Sequence, residues 1–217
     1  MYGFIKALLR CYFRIAYNLK FEGRENIPTD ENVIYTPNHR SNADPPLVGS
    51  FLKGHISFMA KEELFKNKIF AWLIRSLGAF PVSRGKGDMK VIDTSIERLD
   101  NDSLMIFPEG GRSKDGKVQK GHTGAALIAA RSGKRIVPVG VVYGDKLRFR
   151  TKVTIKYGKP IDPAEYVESR EEPNPRQLVK LKNRYMADIK ELVEGGQPAL
   201  EAAEQPKIEQ KEENADE

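Results

Sequence analysis

Apolar residues recur along this chain in two rhythms, one near 3.6 residues and one near 2, and the two alternate. Over residues 2–19, Phe4, Ile5, Leu8, Leu9, Tyr12, Phe13, Ile15, Ala16 and Leu19 fall on an arc about 200° wide at about 100° per residue. Lys6, Arg10, Arg14 and Asn18 occupy the opposite side. The pattern predicts an amphipathic helix with two competing placements. Its apolar arc either packs on the domain core, or lies in a membrane interface with the bases toward anionic headgroups.

Shorter segments follow. Extended runs are predicted at 19–22, 33–36, 56–60, 79–82, 103–107, 136–142 and 152–157, with a turn at 25–29. Helical periodicity is predicted at 45–52, 62–66, 69–77, 88–99, 121–132 and 176–193, and Gly78 marks the stop of the third of these. Strands alternating with helices imply an α/β fold: a layered single domain whose largely parallel or mixed central sheet is flanked by helices. In such sheets ligands collect beyond the carboxyl ends of the strands. The loops that carry His39, Arg84 and Glu109 all follow predicted strands.

Domain boundaries come from a change in composition. Residues 195–217 carry seven acids and two bases, so the +6 of the whole chain leaves +11 on residues 1–194. The tail is rich in Glu, Gln, Ala and Lys and poor in core-forming residues, and is expected to be a disordered acidic appendage. The expected organisation is a docking helix over 1–19, a catalytic domain over 20–194 and the tail over 195–217. A hydrophobic content of 40% over 217 residues suffices for one core. The single cysteine, Cys11, excludes an intramolecular disulfide and a cysteine-based metal site. No uncharged run reaches the roughly 18 residues that a membrane span needs. The N-terminus does not read as a signal peptide, because Lys6, Arg10 and Arg14 interrupt its apolar stretches. A basic body points to phosphate-bearing or other anionic partners.

Three segments carry candidate chemistry. In Asn38-His39-Arg40-Ser41-Asn42-Ala43-Asp44 an imidazole and a carboxylate stand five positions apart at a strand end. On a helix they would point about 140° apart, and on a strand to opposite faces, so only a turn brings them together. A neutral imidazole whose tautomer is fixed by a carboxylate suits proton removal from an alcohol. Asp44 before Pro45 and Pro46 also reads as a helix N-cap, with one oxygen for the helix and the other for the imidazole. Phe107-Pro108-Glu109-Gly110-Gly111-Arg112-Ser113 offers glycines that let backbone amides approach a ligand, and a guanidinium suited to phosphate. Gly78-Ala79-Phe80-Pro81-Val82-Ser83-Arg84 ends in a further arginine. His55 and His122 have no ligand spacing, and no metal site is expected.

Together these blocks resemble the glycerolipid acyltransferases typified by 1-acylglycerol-3-phosphate acyltransferase. The resemblance covers roughly residues 20–165 and rests on N-H-x4-D at 38–44, G-x-F-x-x-x-R at 78–84, F-P-E-G-x-R-S at 107–113 and an apolar V-P-V segment at 137–139, in the family's order. Gly111 stands where the family usually has Thr. The resemblance implies acyl transfer from acyl-CoA or acyl-carrier protein to the free hydroxyl of lysophosphatidic acid, with no cofactor. His39 is then the general base and Asp44 its orienting acid. Lys61, Arg84 and Arg112 hold the acceptor's phosphate, and Glu109 organises that basic cluster or a substrate hydroxyl. The amides near Gly110 and Gly111 face the developing oxyanion. It further implies a peripheral protein docked on an anionic membrane at its cytoplasmic face through residues 1–19.

Three other readings compete. The acceptor is another lysophospholipid or a lyso-aminolipid; the chain is a non-catalytic lipid-surface adaptor; or it is a basic nucleic-acid-binding module. Against the last, the bases are scattered among acids and no aromatic-basic string or helix-turn-helix pattern occurs, so no nucleic-acid partner is expected.

Overall fold

Ile34 and Tyr35 are adjacent in sequence and belong to different cores, because successive strand side chains point to opposite sheet faces. The computed structural model describes residues 1–82 and 89–195. Its helices are α1 (Tyr2–Ala16), α2 (Asp44–Phe51), α3 (Lys68–Ser76), α4 (Met89–Leu99), α5 (Gly124–Ser132) and α6 (Pro175–Glu194). Its strands are β1 (Tyr17–Glu22), β2 (Ile34–Pro37), β3 (Ile56–Lys61), β4 (Ala79–Val82), β5 (Ser103–Met105), β6 (Ile136–Val142) and β7 (Thr151–Tyr157). One seven-stranded sheet runs in the order β1-β7-β6-β2-β5-β3-β4. All neighbours are parallel except β6 and β7. The α/β expectation is therefore met, with a mixed sheet.

The connections set the layers. From β2 through α2, β3 and α3 to β4 the chain steps away from β6; through α4, β5 and α5 it steps back. Right-handed crossovers then place the outgoing and returning helices on opposite faces. Phe13, Leu47, Val48, Phe51 and Ile74, from α1, α2 and α3, pack with Tyr35, Met105, Val137 and Val139. Leu99, Ala126, Ala129, Leu181, Tyr185 and Ile189, from α4, α5 and α6, pack with Ile34, Leu104 and Ile136. The stop at Gly78 is also a close approach: its φ is +93°, and a Cβ there would lie 2.1 Å from the Ile56 carbonyl oxygen.

Two expectations about the N-terminus change. The helix ends at Ala16 rather than at 19, because Tyr17 is extended and pairs with Thr151 to begin an edge strand. The bases of α1 also face inward more than outward. Lys6 is buried and its Nζ donates to the Gly54 carbonyl at 2.7 Å. Arg10 donates to the carbonyls of Ser50 and Leu52, and the Arg14 guanidinium sits 5.8 Å from the Phe51 ring centre. The physical reason lies in the end of α2 and the loop after it: the Ser50 and Leu52 carbonyls at the helix C-terminus and the Gly54 carbonyl beyond it attract cationic donors. Consequently Phe4, Leu8, Tyr12 and Ile15 form the outward surface of α1. The acidic tail lies outside the described residues, apart from Gly195.

Candidate active site

Strands β2, β3, β4, β5 and β6 point the same way, so the segments after them share the carboxyl edge of the sheet. β2 ends in Pro37, and the next side chain takes over the ladder. Buried Asn38 accepts from the Val141 N–H at 2.7 Å and donates to the Val141 carbonyl at 3.1 Å. The main chain thereby turns away from β6 without leaving that strand's polar groups unpaired.

The turn that follows joins imidazole to carboxylate. His39 Nδ1 lies 3.0 Å from Asp44 Oδ2. The same oxygen accepts the main-chain N–H groups of Arg40 and Ser41, each at 2.7 Å. The N-cap expectation for Asp44 is not met: Asp44 is the first residue of α2, and Ala43 precedes it without a side-chain cap. The turn curls back over the carboxylate, so its amides reach Oδ2 before those of α2 do. Oδ1 is buried and makes no hydrogen bond among the described residues. Burial, then the Asp44 charge, push the nearby Tyr143 hydroxyl above the usual phenol range. With 15% of the His39 side chain exposed and 1% of the Asp44 side chain, solvent-side access is to the imidazole.

The third block clamps the main chain of His39. Glu109 Oε1 accepts the His39 N–H at 2.8 Å, and the Ser113 N–H donates to the His39 carbonyl at 2.8 Å. The other oxygen of Glu109 accepts the Gln119 N–H at 2.9 Å. Burial pushes the Glu109 carboxyl above its usual range, partly offset by these two amides. Glu109 therefore holds the turn that carries His39, in addition to whatever it offers the basic cluster or a substrate hydroxyl. Phe107 adds a ring 4.2 Å from that of His39.

The glycines divide. The Gly110 N–H is taken by the Phe107 carbonyl at 3.1 Å, so it is not a free donor as expected. Gly110 has φ +66°, and a Cβ there would meet the His122 ring at 3.0 Å. The Gly111 amide has no partner among the described residues, and a Cβ there would meet nothing within 4 Å. Lys61, at the end of β3, and Arg112 are exposed, with no ion pair among the described residues. Arg84 lies outside the described residues; Val82, two positions before it, is in register with Lys61.

Sequence reasoning missed Asn38 and Arg40. Arg40 is committed to the fold, donating to the carbonyls of Tyr143 and Gly144 with its guanidinium 4.3 Å from the Tyr143 ring centre. No single-sequence signal separates such an arginine from a phosphate ligand. Among the described residues no cluster of His, Cys, Asp and Glu has the arrangement of a metal site. None of their helices is long and apolar enough to cross a membrane.

The structure thus sets an imidazole oriented by a carboxylate at the carboxyl edge of an α/β sheet, with exposed Arg112 one residue from the Ser113 amide that holds the His39 carbonyl. The acyltransferase family model matches residues 18–142, and the chain belongs to that family. It is 39% identical over 153 residues to a 1-acyl-sn-glycerol-3-phosphate acyltransferase of Streptococcus pneumoniae, a match covering 67% of this chain and 56% of that protein. A protein of the same name from Bacillus subtilis is 28% identical over 88% of this chain and 96% of its own length. The crystal structure of the 1-acyl-sn-glycerophosphate acyltransferase of Thermotoga maritima superposes with a TM-score of 0.69 at 30% identity, covering 87% of this chain and 76% of that one.

Proposed function

We propose that this protein transfers a fatty acyl group from acyl-CoA or acyl-carrier protein to the free hydroxyl of 1-acylglycerol 3-phosphate, giving phosphatidic acid at the cytoplasmic face of a membrane. The observation that carries the proposal is the 3.0 Å contact between His39 Nδ1 and Asp44 Oδ2. An ionised carboxylate only accepts hydrogen bonds, so the proton sits on Nδ1 and Nε2 is left as the base. Nε2 removes the hydroxyl proton as the alkoxide oxygen bonds to the thioester carbonyl carbon. Collapse of the tetrahedral intermediate breaks the carbon–sulfur bond, and the proton returns to the departing thiolate. Asp44 steadies the imidazolium between these steps. No serine or cysteine nucleophile takes part.

The Gly111 amide is the remaining loop donor for the oxyanion. Lys61 and Arg112, with Arg84, offer charge for the acceptor's phosphate, and Arg112 adds a geometry that matches it in two hydrogen bonds. The apolar outward residues of α1, with exposed Arg14 beside them, would bring the site to its lipid acceptor.

The test offers the purified protein a panel of lyso-acceptors with each thioester and identifies products by mass. Phosphatidic acid is expected from lysophosphatidic acid, and His39→Ala is expected to lose about 10²–10⁴-fold in rate. Acylation only of acceptors that lack a phosphate would overturn the reading.

A further inference from the structure

The apolar surface of α1 does not stand alone. On α3, Ala71 and Ile74 turn inward, while Ile69 and Trp72 are 82% and 54% exposed and Phe70 and Leu73 are exposed beside them. Four large apolar side chains on the outside of a nine-residue helix form a patch that water does not favour and packing does not explain. Asn67 caps the helix by accepting from the Phe70 N–H, so the helix is held in place by its own sequence.

α1 and α3 contribute to the same core on the same sheet face. The C-terminus of α3 meets the N-terminus of α1, with Ser76 Oγ 3.8 Å from Met1 Sδ. The exposed apolar residues of α1 and α3 thus lie on helices of one sheet face whose ends meet at Met1 and Ser76. Charge completes the picture. From residue 66 to 76 the chain carries Lys66, Lys68 and Arg75 and no acid. The exposed Arg75 sets its guanidinium over the Phe65 ring, 4.9 Å from its centre, so its charge lies at the border of the apolar surface.

We infer that α3 is a second docking helix, whose Ile69, Phe70, Trp72 and Leu73 enter the same leaflet as the outer face of α1, with Lys66, Lys68 and Arg75 on anionic headgroups. A basic rim around aromatic and aliphatic side chains is the chemistry of an interfacial helix, and an anionic leaflet matches both parts of it. The inference rests on the reading that the enzyme works at a bilayer surface and adds the element that helps hold it there. α3 joins β3, which ends in Lys61, to β4, which leads toward Arg84. Its insertion would therefore set the height of the loops that face the acceptor's headgroup.

Trp72 is the only tryptophan of the chain, so its emission reports this face alone. The full-length protein is mixed with vesicles of phosphatidylcholine and phosphatidylglycerol, with and without brominated acyl chains, and co-sedimentation is measured in parallel. A blue shift, quenching by the bromines and at least a tenfold loss of vesicle partitioning in Ile69→Asn/Leu73→Asn are expected. Ile69 is 82% exposed and Leu73 38%, so Ile69→Asn alone is run beside the double variant, with a thermal midpoint that should match the parent's. Co-sedimentation with unchanged, unquenched Trp72 emission would overturn the role of α3 and leave the membrane reading intact. Failure to co-sediment would overturn both. A blue shift without lipid that grows with protein concentration would assign the face to a second copy of this chain.

Discussion

Glu109 and His39 stand 70 positions apart in sequence, and the carboxylate of one accepts the main-chain N–H of the other at 2.8 Å. The second oxygen of Glu109 is equally committed, to Gln119. Replacing Glu109 with Gln sets an NH2 group against one of these two N–H groups. Loss of a hydrogen bond to a charged group costs about 1.5–3 kcal/mol, or roughly 10–100-fold in rate if it appears as misplacement of the imidazole. Glu109→Gln is expected to lower kcat by that amount and to leave KM for the acceptor nearly unchanged. A rise in KM with kcat preserved would show that Glu109 binds substrate directly.

Gly110 and Gly111 should respond oppositely to substitution. Gly110→Ala forces a Cβ against His122 at a positive φ and is expected to destabilise the loop and depress activity. Gly111→Thr meets open space, restores the family's usual residue and is expected to keep the fold, with a gain of about 0.4–1 kcal/mol from the less flexible unfolded chain. Urea unfolding and steady-state rates on both variants check this. Equal damage from the two would contradict the geometry.

Asn38 serves the strand ladder rather than the chemistry. Asn38→Leu buries the N–H and C=O of Val141 unpaired, and each orphaned group costs about 1–3 kcal/mol. A fall of about 2–6 kcal/mol in unfolding free energy is expected, and a midpoint unchanged in urea would refute the assignment.

Lys6 gives α1 a dependence on pH. Burial, and then the neighbouring Arg10 charge, pull its ammonium from 10.5 down to about 8. Between those values the unfolded chain binds the proton that the folded chain has released, so stability rises with pH across that window. Below about 8 the folded protein holds the charge at a cost. Thermal midpoints of the parent minus those of Lys6→Met should therefore increase from pH 8 to 10.5. A flat difference would place Lys6 in water.

The strand and helix segments were legible because period and punctuation agreed: β6 is a continuous apolar run, and Gly78 stops a helix just where the chain must pass the Ile56 carbonyl. The placement of β1 beside β7, and the antiparallel turn between β6 and β7, were not. Nothing local distinguishes an edge strand that pairs with the last strand of the sheet from one that pairs with its successor. At the site, the spacing of His39 and Asp44 required a turn for the two to meet, and the structure has that turn. The roles of Asn38, Ser113 and Gln119 did not, because they act through main-chain groups that any residue supplies. α1 was misjudged in one respect. A helix with apolar residues over more than half its circumference can turn either side inward, and the deciding partners, the last carbonyls of α2, are invisible until the fold exists.

Arg10 grips the end of α2 and Lys6 the Gly54 carbonyl just beyond it, so the helix is bolted to the domain instead of trailing from it. Whatever medium Phe4, Leu8, Tyr12 and Ile15 sink into, the imidazole is carried at one fixed tilt and depth relative to it. The reach of that imidazole from the outer face of α1 is then a constant of the fold.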